Sequence, residues 1–120
     1  MTGSLANSLA APPAGGFPDW PLLAQWRASV QAGRFDGHFP GRPILPGAWL
    51  LDAVAAQVEA ACGRRVLAVR EAKFLSAVPA TPPGPLLRLH ARLEPDLARF
   101  ALMHGAALAC AGALALQEGA

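Results

Sequence analysis

Lysine occurs once in this chain, at Lys73, and charged residues make up only 15% of its 120 positions, for a formal net charge of +2. No basic run is long enough to follow a phosphate backbone, which excludes nucleic acid as the main partner. Cysteine is nearly as scarce. Cys62 and Cys110 sit in apolar segments without ligand-like spacing, which argues against a disulfide scaffold or a thiolate metal site. They read instead as small core residues of a reduced, cytoplasmic protein. The three histidines are scattered, so they do not form a metal site either. Also missing is any apolar run of about 18 residues free of breakers and charges, the minimum for a membrane span. Residues 1–16 (MTGSLANSLAAPPAGG) have no basic segment ahead of their apolar stretch, which Asn7 and Ser8 interrupt. They read as a disordered tail, not a secretory signal, leaving 17–120 as one domain.

Apolar residues are abundant, at 53%. A single domain of this size would struggle to cover them, so burial in an oligomer is expected. The stretch Gly37–Gln57, GHFPGRPILPGAWLLDAVAAQ, is the one around which the chain is organised. Pro40, Pro43 and Pro46 fix their own φ and push Phe39, Arg42 and Leu45 out of the α region, so no helix can begin before Pro46. From Gly47 no breaker occurs until Gly63, which predicts a helix starting near Pro46 or Gly47 and capped by Gly63. On that helix Ala48, Leu51, Ala55, Val58 and Cys62 read as one face, and Trp49, Leu50, Ala53, Val54, Ala56, Ala60 and Ala61 fill most of the rest. Such a pattern predicts a helix buried nearly all round. Asp52 is then its odd residue, since a carboxylate out of water is costly unless something meets it. Ahead of the helix, His38 stands in a turn whose prolines and glycines would hold the imidazole in one orientation, as acid–base catalysis requires.

GHFPGRPILPG followed by an apolar helix with an acid fourteen positions after the histidine, His38 to Asp52, resembles the 3-hydroxyacyl-[acyl-carrier-protein] dehydratases of the hotdog fold. That family carries HFPGxPxxPG and then Glu or Asp, and the Asp form is similar to the branch that also isomerises its enoyl product. Weaker matches run through Ala72–Leu75 (AKFL), Pro83–Leu89 (PGPLLRL) and Ala109–Leu116 (ACAGALAL), so that the resemblance covers roughly residues 26 to 117. The chain is short for the family and looks most like small accessory members of specialised polyene or lipid pathways. One position departs from the pattern. The family commonly has glutamine four residues after the acid, where this chain has Ala56, and Gln57 lies about 100° further round the helix.

The resemblance implies an α+β hotdog fold, an antiparallel sheet of about five strands wrapped around one long central helix. It implies a lyase in fatty-acid, lipid or polyene biosynthesis. His38 is the base that takes a proton from C2, Asp52 of the partner chain is the acid for the leaving C3 hydroxyl, and Gly47, Phe39 and Pro46 lie against the substrate. The partners implied are a second copy, in a homodimer or higher even oligomer, and acyl carrier protein. Arg42, Arg64, Arg65, Arg70 and Lys73 are candidates to attract the carrier. No cofactor is implied, because the substrate rides on the carrier's phosphopantetheine. The alternative is a non-catalytic hotdog module that binds acyl thioesters or a partner enzyme.

The rest of the chain reads as strands and turns. Phe17–Leu23 is a proline-punctuated lead-in, and Gln25–Ala32 alternates at period two. Val66–Leu75 is a strand and Ser76–Pro85 a proline-rich loop. Leu87, Leu89, Ala91 and Leu93 alternate with Arg88, His90 and Arg92, giving a strand with a basic, solvated face. Glu94–Ala98 turns the chain, Arg99–Met103 is a strand, and His104-Gly105 is a hairpin turn. In the last segment Leu108, Cys110, Gly112, Leu114 and Leu116 alternate with alanines, which overrides their helical propensity and predicts a strand with an all-alanine face.

Overall fold

The computed structural model describes residues 20–29 and 43–119. The tail expected over 1–16 and the turn carrying His38 and Phe39 lie outside the described residues. In chain order the elements are β1 (Leu22–Arg27), α1 (Gly47–Cys62), β2 (Val66–Phe74), β3 (Leu86–Leu93), β4 (Leu97–His104) and β5 (Ala107–Leu116). The strands form one sheet in the order β1-β3-β4-β5-β2, with every neighbouring pair antiparallel. This is the expected α+β arrangement, with α1 packed on one face of the sheet. Among the described residues no helix is long and apolar enough to cross a membrane.

The helix has the expected bounds. Pro46 is the extended residue at its start (φ −64°, ψ 148°), and Gly63 ends it in the left-handed conformation (φ 72°), donating its N–H to Glu59 O at 2.9 Å. Its burial differs from expectation. Leu50, Val54 and Val58 form the buried row, whereas Ala48, Asp52, Ala56, Glu59 and Ala60 are exposed on the single chain. Bulk decides this. Residues at i, i+4 and i+8 share a face, and the branched row gains roughly 1.5–3 kcal/mol per side chain on burial, which alanines cannot match. Opposite that row lie Leu87 and Leu89 of β3, Phe100 and Leu102 of β4, and Cys110 and Leu114 of β5, all with no measurable exposure.

Three strand boundaries shift. β1 takes in Leu22 and Leu23 from the expected lead-in, because Leu22 pairs with His90 and Ala24 with Leu89, and it stops at Arg27. The phase of the alternation holds, with Ala28 buried and Arg27 and Ser29 exposed. β4 begins at Leu97, two residues inside the expected turn, since Glu94 N–H donates to Leu97 O at 2.7 Å and closes the hairpin tightly. Arg92 and Arg99 both donate to the Glu94 carboxylate, at 2.9 and 3.1 Å. Burial pushes that carboxyl up, but the two guanidinium groups outweigh it and hold it below the ordinary value. Between β4 and β5 the turn is Gly105-Ala106, with Gly105 at φ 61°, so His104 is the last strand residue and not part of the turn.

β5 is a strand despite its alanines, and Ala109, Ala111, Ala113 and Ala115 are all buried. The closest approach is at Gly112. A β-carbon there would overlap the backbone carbonyl of Glu71, where β2 shifts register between Val69 and Glu71. Glycine is required at this point by the neighbouring strand, not by its own dihedral angles.

Candidate active site

The chain enters α1 along a fixed path. Leu45 N–H donates to Val78 O at 2.8 Å, Ala80 N–H donates to Pro43 O at 3.0 Å, and Ile44 bridges Pro79 in antiparallel fashion. The loop after β2 therefore holds the last three residues before Pro46. Leu50 N–H makes the first helical bond, to Pro46 O at 3.1 Å, and no side chain caps the start. The amides of Gly47 and Ala48 precede that bond and lie at the positive end of the helix dipole.

Gly47 is also the point of closest approach to β2. A β-carbon on Gly47 would lie 2.8 Å from both Cε1 and Cζ of Phe74, so the ring rests against the glycine backbone. Around this contact is an open pocket of about 490 Å³, bounded by Leu45, Gly47, Leu50, Phe74, Ser76 and Val78 among others. Its polar liner is engaged elsewhere, since Ser76 Oγ donates to Leu108 O at 2.9 Å. What remains is an apolar cavity beside a helix start whose first amides have no intrahelical acceptor, an arrangement able to hold a hydrocarbon chain next to an oxygen that gains negative charge.

Of the residues marked in the sequence, Gly47 lines this pocket and Pro46 sets the helix start immediately before it. His38 and Phe39 lie outside the described residues. Asp52 is in the second turn of α1, but it does not line the pocket, and its side chain is exposed in a row with Ala48 and Ala56. Among the described residues no hydrogen bond or ion pair engages it. Gln57 is half-buried and lies on a different row from Asp52. The sequence reading missed Phe74, Leu45, Leu50 and Val78 as pocket residues. Period-two alternation could place Phe74 on a strand, but nothing in the sequence shows that β2 ends over Gly47.

The other candidates are held by the scaffold. His90 is half-buried, not simply solvated, and its Nδ1 lies 3.1 Å from Trp20 O, so that nitrogen carries the proton and donates. His104 borders a separate open groove with Gln25, Leu86, Arg88 and Gly105. Arg64, a candidate to attract a carrier, donates to Pro95 O at 2.6 Å and Glu94 O at 3.1 Å, tying the end of α1 to the β3–β4 turn. Lys73 lies 3.8 Å from Glu71, both half exposed. Arg65 and Arg70 are exposed, and Arg42 lies outside the described residues.

Comparison with known proteins places this chain in a dehydratase family. The profile of the ApeI-like family, described as ApeI dehydratase, matches residues 15–113. The 3-hydroxyacyl-[acyl-carrier-protein] dehydratase FabZ of Legionella pneumophila is 33% identical over 110 residues, covering 78% of this chain and 71% of the relative. The enzyme of the same name from Novosphingobium aromaticivorans is 38% identical over 85 residues, covering 62% of this chain and 52% of the relative. Among solved structures, the dehydratase heterocomplex ApeI:P from Xenorhabdus doucetiae superposes with a TM-score of 0.60 at 21% identity, covering 82% of this chain and 98% of that one. The hexameric thioesterase y2039 from Yersinia pestis gives a TM-score of 0.50 at 17% identity, covering 87% and 91%. These structural likenesses show the hotdog fold.

Proposed function

Because the chain belongs to the ApeI-like dehydratase family, of hotdog fold and related to the 3-hydroxyacyl-[acyl-carrier-protein] dehydratases, we propose that it dehydrates a 3-hydroxyacyl thioester to the trans-2-enoyl thioester. The observation that carries this reading is the start of α1. Gly47, in the first turn where amides have no intrahelical acceptor, borders an apolar pocket, and the helix bears a carboxylate, Asp52, five residues further on.

In this reading His38 takes the proton from C2, and the electrons of that C–H bond move into the developing C2–C3 double bond. Negative charge that passes through the thioester oxygen is met by Gly47 N–H. The C3–O bond breaks, and the hydroxyl leaves as water with a proton from Asp52 of the partner subunit. The proton on His38 then returns to the carboxylate, so the cycle closes without a cofactor. The acyl group arrives on the phosphopantetheine of a carrier protein.

The exposed position of Asp52 supports a site shared between subunits. A second subunit over the Ala48–Asp52–Ala56 row would take the carboxyl out of water, the circumstance in which a carboxylic acid keeps its proton and can donate it. Terminal strand β2 supports the same assembly, because Leu67 and Val69 are 61% and 49% exposed on it. Small residues along the helix row would let a second helix approach closely.

The test is turnover of 3-hydroxyacyl carrier protein of several chain lengths, with enoyl product followed by mass. His38→Ala and Asp52→Asn, each folded as the wild type, should lower the rate by about 10²–10⁴-fold. Unchanged turnover in either variant would remove the mechanism. Ala56 in place of the family's glutamine favours a second reading, an acyl-binding module without catalysis. Tight acyl binding with neither hydration nor dehydration at any length would establish it.

A further inference from the structure

We propose that Phe74 is the specificity-determining residue of the acyl pocket, the one wall whose size sets which chains are accepted. The inference rests on the reading of that pocket as the acyl site. The walls are of two kinds. Leu45, Leu50 and Val78 are 3%, 3% and 1% exposed and locked into the core between α1 and the sheet. Phe74, at the end of terminal strand β2, and Leu75 after it are 52% and 46% exposed, and of the two it is Phe74 whose ring rests against Gly47. Packed interiors resist changes of volume, so a longer chain gains room where the ring is, not where the core is.

The Gly47–Phe74 contact also gives glycine at position 47 a second reason. A methyl group there would meet the far end of the phenyl ring, which can swing aside more cheaply than backbone can move. Gly47→Ala would therefore act on the pocket through Phe74. Removing the ring should relieve it.

Two measurements on the full chain test the assignment. The first compares wild type, Phe74→Ala and Phe74→Trp for binding and turnover of 3-hydroxyacyl pantetheine thioesters of six to fourteen carbons. A methylene accepted or refused in an apolar pocket changes discrimination about tenfold or more. The kcat/KM ratio of long to short chains should accordingly rise about tenfold in Phe74→Ala and fall in Phe74→Trp, with calorimetric Kd values moving the same way. The second is a thermal-stability cycle with Gly47→Ala, which should cost less in the Phe74→Ala background than in the wild type.

An active enzyme with the same chain-length profile in all three proteins would overturn the role of Phe74 and leave the reaction intact. So would a Gly47→Ala penalty identical in both backgrounds. A wild type that binds the thioesters with the Phe74-dependent profile but forms no enoyl product would overturn the dehydratase reading and leave the wall assignment standing.

Discussion

A site divided between two copies makes a quantitative prediction that a site within one chain does not. Take His38→Ala and Asp52→Ala, each inactive alone, and co-express them with different affinity tags so that only mixed dimers survive both columns. If His38 of one subunit works with Asp52 of the other, each mixed dimer has one site with both groups intact and one with neither. Its turnover should be about one half of the wild-type dimer's, one of two sites being whole. If the two residues act within one chain, both sites are broken. The mixed dimer should then be no faster than the single variants, about 10²–10⁴-fold below wild type.

The structure motivates the first outcome. Asp52 stands exposed on a helix row of alanines while Leu50, Val54 and Val58 fill the chain's own core. The assay is enoyl formation from a 3-hydroxyacyl thioester, with the composition of the purified dimers confirmed by native mass spectrometry. Mixed dimers with only background activity, beside an active wild type, would refute the shared site.

The remaining predictions concern the scaffold. Leu67 is 61% exposed on β2, and Leu67→Asp should weaken self-association roughly 100-fold by setting a charge in the joint; sedimentation equilibrium that shows no change would exclude β2 from the interface. Gly112→Ala places a β-carbon on the Glu71 carbonyl and should cost roughly 3 kcal/mol, seen as a fall in Tm on the order of 15 °C; a melting curve matching the wild type would mean that the β2–β5 register is not as described. Burial pushes the Cys110 thiol up to about 12. Because that value is raised in the folded state, its stabilising effect is complete below the unfolded thiol's pKa of about 8.5 and is lost as pH climbs toward 12. Cys110→Ala should flatten this alkaline decline in urea midpoints, and in native protein a thiol reagent should modify half-buried Cys62 before Cys110.

How far the fold could be read in advance depended on what each segment had to satisfy locally. Pro46 and Gly63 constrain backbone angles directly, so α1 begins and ends where they require. Period-two alternation is equally local, and it overruled alanine's helical propensity in β5. What local pattern could not supply was the partner of each surface. Ala48, Leu51, Ala55, Val58 and Cys62 read as one apolar face because a hydropathy pattern takes no account of how much space each side chain fills. Packing weighs volume, and it turned Leu50, Val54 and Val58 inward instead.

That rotation leaves Asp52 looking away from its own core, among side chains too small to be needed there. The contact between Gly47 and Phe74, 27 residues apart, was hidden for the same reason, since it exists only once β2 has run along the sheet edge to end beside the helix start. The motif thus names the groups proposed to react. The volumes of the unremarkable residues around it decide that Asp52 faces outward on the single chain, as the proposed shared site requires.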